Sequence, residues 1–277
     1  MHRSAEKIDV EHFVIQGSPV SRTGALCHID QAQRRASCRA ACELTIIHVS
    51  DLHSRHRRHL LETVIGLQPD GVMITGDLFD GVQSPKPAFE FVAGLRNADL
   101  DVFYVTGNHE LYRQDVAQLL DQLRALGVTV LENEEVAWKG IHVAGVGFDA
   151  WPEDVRFPET EQIRLLLVHD PYKADRLSEA TASLILAGHI HGGQWRLFHQ
   201  GLAGPGHRLL PKYTSGLYRT VQGMSMIVSR GLGDWMKIPR ICNPWHLPVI
   251  HLLLPEAGPM AEPDALKSGH EPVKETH

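Results

Sequence analysis

Residues 71–77 have the sequence GVMITGD, an apolar run that stops at Gly76 and Asp77. Four other runs of the same kind lie at residues 45–49, 101–106, 164–168 and 183–187. Short, nearly continuous apolar runs are typical of strands that are buried on both faces of a sheet. Each run is followed within two residues by Asp, Asn or His, so we expect polar side chains at the carboxyl ends of these strands.

Helical patterns lie between these strands and indicate an α/β architecture. Residues 59–67 and 115–126 carry apolar side chains at the three- and four-residue spacing of an amphipathic helix. The alternation of strand and helix favours an α/β fold with functional groups at the strand ends. Further strands are predicted at residues 141–148, 224–229 and 248–254. We therefore expect a second sheet packed on the first, with helices outside.

The residues that follow the predicted strands form five short motifs rich in Asp, Asn and His. These motifs are Asp51-Leu52-His53, Gly76-Asp77, Gly107-Asn108-His109-Glu110, His169 and Gly188-His189-Ile190-His191. Mixed nitrogen and oxygen ligands without thiolate suit Mn, Fe or Zn. Two such ions about 3.5–4 Å apart can clamp the attacking and leaving oxygens of a phosphoryl displacement. The motifs therefore predict a hydrolytic dimetal centre.

Two of the motifs place ligand candidates two residues apart. Residues i and i+2 of an extended segment point the same way, so Asp51 and His53 are predicted to hold one ion together. His189 and His191 repeat this arrangement with two imidazoles. The glycines before the ligands are predicted to let the backbone turn sharply and let the metals sit close.

The remaining motif residues have separate expected roles. Asp77 has two oxygens and can bridge two ions, and Asn108 offers a neutral oxygen. His109 is not needed as a ligand, so it is the candidate to stabilise the developing oxyanion or to protonate the leaving group. Each motif alone has an ordinary interpretation as a turn or a helix cap. Their joint occurrence, in order and each after a strand, favours the metal centre.

Together the motifs resemble the calcineurin-like metallophosphoesterase superfamily over about residues 44–255. The resemblance implies a four-layer sandwich of two mixed β-sheets flanked by α-helices. It also implies two divalent ions, with Mn expected and Fe or Zn as alternatives. The implied ligands of one ion are Asp51, His53, Asp77 and His191. The implied ligands of the second ion are Asp77, Asn108, His169 and His189. His109 falls on the family's catalytic histidine.

Four further stretches resemble a bacterial phosphodiesterase branch of that superfamily. They are residues 50–54, 188–194, 216–218 and 229–233. Some members of the branch are membrane-associated, and some hydrolyse the pyrophosphate of UDP-diacylglucosamine in lipid A synthesis. The more widespread hydrolases of that substrate carry Asn-Arg-Asp where this chain has Asn108-His109-Glu110. Residues 76–81 also lack the Asp-Arg-Gly ending of protein Ser/Thr phosphatases.

The predicted reaction is phosphoester hydrolysis by a phosphodiesterase or pyrophosphohydrolase, with a metal-bridging hydroxide as the nucleophile. One alternative is a UDP-diacylglucosamine pyrophosphohydrolase of lipid A synthesis. An alternative from another class is a catalytically silent scaffold that keeps the fold. Such scaffolds typically lose ligands or the catalytic histidine, and both are present in this sequence.

Composition limits the remaining classes of function. A net charge of −6 and a pI of about 6.3 argue against nucleic-acid binding. The chain has 277 residues and 43% hydrophobic content, enough to bury the core of one domain. We expect an N-terminal extension over residues 1–43, a catalytic domain over residues 44–255 and a disordered tail over residues 256–277. No transmembrane run or signal-peptide core is evident, so a cytoplasmic location is expected, with peripheral contact at the inner membrane as an open alternative.

Candidate substrate contacts flank the metal motifs. His56 and Arg57 are candidates to bind a phosphate, with a solvated helix start as the alternative. Trp195 and Trp235 belong to apolar segments that could accept a lipid-like substrate, with ordinary packing as the alternative. The expected partner is a phosphodiester or pyrophosphate substrate, with peripheral contact with membrane lipid as an open alternative. The four cysteines match no recognised zinc spacing and are expected to be reduced thiols.

Overall fold

The computed structural model describes residues 7–16, 27–28, 42–151, 155–156, 162–177, 182–205, 208–234 and 239–254. Its strands are β1 (Ile8–Gln16), β2 (Cys27–His28), β3 (Cys42–Val49), β4 (Gly71–Thr75), β5 (Asp101–Val105), β6 (Thr129–Val130), β7 (Glu134–Trp138), β8 (Ile141–Val146), β9 (Arg164–Val168), β10 (Leu184–Ala187), β11 (Arg196–Leu197), β12 (Gln200–Gly201), β13 (Ala203–Gly204), β14 (Arg208–Leu209), β15 (Gly216–Arg219), β16 (Ser225–Val228) and β17 (Trp245–Leu254). Its helices are α1 (Leu60–Gly66), α2 (Lys86–Asn97), α3 (Asn108–Leu111), α4 (Val116–Ala125) and α5 (Pro171–Ala174), with a 3₁₀ turn at His191–Gly193.

Most of these strands belong to two mixed sheets. Within the described residues, one sheet has seven strands in the order β2-β1-β17-β3-β4-β5-β6, and the other has six in the order β15-β16-β10-β9-β8-β7. Strands β3 to β6 are parallel neighbours in the first sheet, and β8, β9, β10 and β16 are parallel neighbours in the second. Parallel neighbours end at the same edge of a sheet. The polar residues after β3, β4 and β5 therefore share one edge, and those after β9 and β10 share another.

Alternating side chains on each strand fill different layers of the core. On β4, Val72 and Ile74 pack in a cluster with residues of α1, α2 and α4, whereas Met73 packs in the cluster between the two sheets. A third cluster lies on the far face of the second sheet and includes Ala174 of α5. The predicted sandwich of two mixed sheets flanked by helices is thus confirmed. No helix in the described part of the chain is long and apolar enough to cross a bilayer.

The amino-terminal boundary of the fold differs from the prediction. Residues 8–16, which we placed in an extension, form β1 and pair in parallel with β17 along the whole of β1. The pattern was not recognised because the partner strand lies at the other end of the described chain. Strand β1 therefore belongs to the first sheet, although it precedes the predicted domain boundary at residue 44. The predicted tail over residues 256–277 lies outside the described residues, as do Cys38 and most of the extension.

Helix α2 was also missed. It carries Pro87 in its first turn and Gly94 in its second half, and both residue types lower an expected helix propensity. Proline is tolerated in a first turn because its missing N–H would have no helical partner there. Gly94 is tolerated because a Cβ there would collide with Leu61 of α1. The close packing of α1 on α2 therefore explains why α2 contains a glycine that local propensity disfavours.

Candidate metal centre

The first group of candidate ligands meets where the two sheets adjoin. Asp51 follows β3, Asp77 follows β4 and His191 follows β10, and all three are buried, as is His53. His191 Nε2 lies 3.4 Å from Asp51 Oδ1, and His53 Nε2 lies 3.3 Å from His191 Nε2. Asp77 Oδ2 lies 3.7 Å from His53 Nε2. One potential ligand atom from each of the four residues lies within 4.8 Å of the others.

The second group shares Asp77 with the first. His169 Nε2 lies 3.4 Å from Asp77 Oδ2, 3.1 Å from His189 Nδ1 and 3.2 Å from Asn108 Oδ1. Asp77 Oδ2 therefore stands between one histidine of each group, His53 and His169. The seven residues proposed as ligands on sequence grounds thus come together as two sets with one shared carboxylate. Their coordination of metal stays a prediction.

The backbone at the ligands is not extended, and the geometric premise for the paired residues was wrong. Asp51 and His53 have φ angles of 52° and 51°, and His189 and His191 have φ angles of 70° and 51°. Asp77 has a φ angle of 48°. All five lie in the left-handed region, which side chains with a Cβ rarely adopt. Clustering of such conformations is typical of functional sites, where the surrounding structure holds the strain.

Glycine at the strand ends allows the two sheets to approach closely. A Cβ on Gly188 would collide with the Ser50 hydroxyl and would lie 2.6 Å from Asp51 Oδ2. A Cβ on Gly107 would collide with Asp77 Oδ1. The expected close approach at these glycines is therefore present, and it is the ligand carboxylates themselves that approach.

Substitution Gly188→Ala is expected to lower the stability of the fold by about 1–3 kcal/mol, the usual cost of overpacking a tight core. It should also displace Asp51, so metal uptake should fall. Thermal denaturation of the metal-free and metal-loaded protein measures both effects. Gly66→Ala is the matched control, because no atom lies within 4 Å of its Cβ position at the exposed end of α1. If Gly188→Ala melts like Gly66→Ala, the close approach is absent in solution.

Hydrogen bonds orient the histidine rings toward the centre. His169 Nδ1 donates to the Thr75 carbonyl at 2.7 Å, which turns Nε2 toward Asp77 and the centre. His191 Nδ1 lies 3.3 Å from the Gly233 carbonyl, so its Nε2 faces Asp51 in the same way. Metal-binding histidines usually use this arrangement, since the hydrogen bond at one nitrogen sets the tautomer at the other.

The charges in the site fit divalent cations. Burial lowers the pKa of His169, but the charge of Asp77 and their hydrogen bond outweigh it and raise that pKa to about 10. Burial likewise would raise the pKa of Asp77, yet His169 and its neighbours hold it well below its usual range. Asp51 Oδ1 and His53 Nδ1 are buried without a hydrogen-bond partner. A bound cation would offset the cost of the buried, unpartnered Asp51 oxygen, and this donor set can supply the ligands for it.

His109 lies beside the first group. Its ring packs edge-on against His53 at 4.4 Å between centroids, and its backbone N–H donates to Asp77 Oδ1 at 2.8 Å. The side chain is half-buried and its Nδ1 has no hydrogen-bond partner. His109 also forms a further cluster of potential ligand atoms with His53 and Asp80. Its catalytic role stays a prediction, and it is close enough to the centre to fill it.

Glu110 has a structural role that sequence analysis did not assign. Its carboxylate accepts the backbone N–H groups of Asp77 at 3.0 Å, Phe79 at 2.9 Å and Gly107 at 2.7 Å. Burial, and then the charge of Asp77, raise the pKa of Glu110 to about 7. The bond to Gly107 is the Glu half of a capping box at the start of α3, so the spacing of Gly107 and Glu110 was the available signal.

Substitution Glu110→Ala is expected to lower the free energy of unfolding by about 3 kcal/mol or more, because three buried N–H groups lose their acceptor. Urea denaturation of the metal-free protein measures this directly. Glu62→Ala is the matched control, because Glu62 is exposed and only pairs with His59 on the surface. Equal stability of the two variants would contradict the role of Glu110.

A loop after β16 completes one wall of the centre and was not predicted to do so. A Cβ on Gly231 would lie 2.7 Å from Asp51 Cβ, and one on Gly233 would lie 2.6 Å from His53 Cδ2. Buried Arg240 donates to the Arg230 and Gly233 carbonyls. Its contacts hold the loop against the ligands. No local pattern marks Arg240, because its partners lie in another segment.

The residues predicted to contact the substrate have different environments in the structure. Arg57 donates to the Leu232 carbonyl and stacks on Trp245 at 3.9 Å, so it braces the same loop. His56 is exposed nearby, and Trp195 is partly exposed with its Nε1 donating to the Pro239 carbonyl at 3.0 Å. Trp235 and Met236 lie outside the described residues. Substrate binding by these residues stays a prediction.

Comparisons with known proteins agree with this arrangement. The sequence profile described as calcineurin-like phosphoesterase matches residues 44–193. An uncharacterized metallophosphoesterase of Campylobacter jejuni is 30% identical over 229 residues, which cover 76% of this chain and 59% of that protein. One of Helicobacter pylori is 30% identical over 230 residues, covering 76% of this chain and 60% of that protein. A Bos taurus protein named transmembrane protein with metallophosphoesterase domain is 28% identical over 219 residues, which cover 68% of this chain and 48% of that protein. The chain thus spans about 60% of the length of the two bacterial relatives.

Proposed function

Because the chain belongs to the calcineurin-like phosphoesterase family, we propose that it is a dimetal-dependent phosphodiesterase or pyrophosphohydrolase. The position of Asp77 Oδ2, 3.4 Å from His169 Nε2 and 3.7 Å from His53 Nε2, carries this proposal. A carboxylate so placed can serve two ions at once. The choice of a diester or pyrophosphate over a phosphoprotein is supported by residues 76–81, which lack the Asp-Arg-Gly ending of protein phosphatases.

Two ions are assigned to the two groups of ligands. Asp51, His53 and His191 would hold one ion, His169, His189 and Asn108 would hold the second, and Asp77 would be shared. Mn is the proposed metal, with Fe or Zn as alternatives that the donor set also allows. When bound, such ions activate water at neutral pH and offset negative charge on phosphoryl oxygens.

Residues next to the proposed ligands support that chemistry. His109 stands beside His53, where its imidazole can donate a proton to a leaving oxygen or stabilise a phosphoryl oxygen. Its backbone N–H orients Asp77 through Oδ1, which leaves Oδ2 for the centre. Glu110 holds the chain on both sides of Asp77 through the amides of Asp77 and Phe79. The centre is therefore preorganised by buried hydrogen bonds.

A metal count and a hydrolysis screen test the proposal together. After loading with Mn, elemental analysis of the pure protein should approach two ions per chain. The loaded protein should hydrolyse bis-p-nitrophenyl phosphate or a nucleoside diphosphate ester faster than p-nitrophenyl phosphate. Two ions without hydrolysis of any phosphoester would favour a silent scaffold, and binding of a single ion would contradict the shared role of Asp77.

A lipid-linked pyrophosphate, such as UDP-diacylglucosamine, is a second candidate substrate. It is favoured by Trp195, which is partly exposed and follows the 3₁₀ turn that contains His191. Burial of an acyl chain against such a side chain contributes about 0.8 kcal/mol per methylene. The roles proposed for the metal ligands and for His109 are the same for this second substrate.

Substitution Trp195→Ala is expected to raise KM for long-chain acylated pyrophosphates, while activity on bis-p-nitrophenyl phosphate stays the same. The expected effect grows with chain length, because each methylene loses part of its apolar contact. Steady-state kinetics over an acyl series measures it. If Trp195 only packs the fold, the variant should lose thermal stability and activity on short and long substrates alike. A KM independent of acyl length in the native protein would exclude the lipid substrate.

A further inference from the structure

An apolar surface stands beside the metal centre on two small hairpins. The hairpins are β11–β12 and β13–β14. Phe198, at the turn of the first hairpin, is 87% exposed, and Leu209, in the second, is 80% exposed. Four other large apolar side chains of this surface are also exposed, namely Trp195, Leu197, Leu210 and Ile241. We call these six residues the hairpin surface. Large apolar side chains left exposed together on linked hairpins are a usual feature of a binding surface.

Hydrogen bonds join the hairpins to each other and to the centre. The Leu202 N–H donates to the Gly193 carbonyl, and the Leu210 N–H donates to the Leu202 carbonyl at 3.0 Å. Trp195 forms a bridge with Ile241, which brings Ile241 to the same surface. Gly193 belongs to the turn that begins with His191. The hairpin surface is therefore continuous with the segment that carries two candidate ligands.

The charge of this region is opposite to that of the whole chain. Residues 180–233 contain no Asp or Glu, although the chain has 33 acidic residues and a net charge of −6. Arg196, Arg208 and Lys212 lie within or next to the hairpins. Arg196 donates to the Gly192 and His199 carbonyls and lies within electrostatic range of Glu11, whereas Lys212 pairs with Asp175 at 3.5 Å. The hairpin surface thus combines exposed apolar side chains with a basic, acid-free sequence.

We propose that the hairpin surface docks on the face of a lipid bilayer that contains anionic headgroups. Apolar side chains at hairpin turns can enter the interface, and nearby basic residues attract anionic lipid. Residues 180–233 themselves contribute no carboxylate that such a membrane would repel. Docking at this surface places the metal centre next to the headgroups. The inference does not depend on which phosphoester is hydrolysed.

Vesicle sedimentation with the full chain tests the docking. The probes are vesicles of phosphatidylcholine alone and of phosphatidylcholine mixed with phosphatidylglycerol. We expect binding to the mixed vesicles, weaker binding to phosphatidylcholine, and weaker binding at high salt. Each of the substitutions Phe198→Ser and Leu209→Ser should weaken binding by about tenfold, because one apolar side chain no longer leaves water.

Val221→Ser provides the matched control. Val221 is 74% exposed in the turn between β15 and β16, at the end of β16 opposite to the metal centre. Its loss should leave vesicle binding unchanged. In a second measurement, brominated lipid should quench the fluorescence of a Phe198→Trp variant more strongly than that of the native chain, whose Trp195 already lies on this surface. The difference reports insertion of residue 198 even if the serine variants fold poorly.

Three results would overturn the proposal. They are failure of the native chain to bind mixed vesicles, serine variants that bind as the native chain does, and no additional quenching of the tryptophan variant. Sedimentation velocity tests the main alternative, in which a second copy of the chain covers the hairpin surface. If Phe198→Ser turned a dimer into a monomer and vesicles bound neither form, the hairpin surface would be a dimer interface instead.

Discussion

Asp77→Asn is expected to lose both ions and activity together. The substitution keeps the shape of the side chain but removes its charge and replaces one oxygen by an amide nitrogen, which cannot accept a metal. Asp77 Oδ2 lies near both His169 and His53, so neither group of ligands should keep its affinity. Metal-based charge stabilisation is worth several kcal/mol, so kcat/KM should fall by about 10³-fold or more.

Metal content and kinetics should be measured on the same preparations of the Asp77 variant. Asp121→Asn, on the exposed surface of α4, is the matched control and should keep two ions and full activity. The shared role of Asp77 is contradicted if the variant keeps two ions with native affinity. Loss of one ion with retention of the other would show that the two groups bind independently.

His109→Ala is expected to lower kcat by about 10²–10⁴-fold, the range for a lost general acid or charge stabiliser. Metal content should remain at the native level, because the contact of His109 with Asp77 uses the backbone N–H and survives the substitution. The measurement is kcat on bis-p-nitrophenyl phosphate together with elemental analysis. A leaving group of low pKa should reduce the defect if His109 protonates the leaving oxygen.

His59→Ala is the control for His109, because the exposed His59 ring has Glu62 as its described side-chain partner and lies away from the candidate ligands. A loss of metal from His109→Ala would show that His109 is a ligand. The cluster of His109 with His53 and Asp80 identifies where that ion would lie. A native kcat with native metal content would remove His109 from the mechanism altogether.

Much of the candidate site was predictable because its signals are local. An apolar run followed within two residues by Asp, Asn or His specifies a buried strand and the polar residue at its end, and five such runs occur in this chain. The structure brings the predicted ligands together, and the family match covers residues 44–193, the segment that contains all of them. Binary patterning and strand-end chemistry depend on near neighbours, so one sequence suffices to identify them.

The sequence by itself thus determined the buried strands, the type of ligand and their order along the chain. Tertiary structure alone decided how those residues face one another. It placed β1 against β17, held the ligand backbone in left-handed conformations, and put Glu110 under the amides of Asp77 and Phe79. The physical reason is that a strand or a turn forms from local preference. The pairing of distant strands and the strain at a site are settled only when the whole core packs.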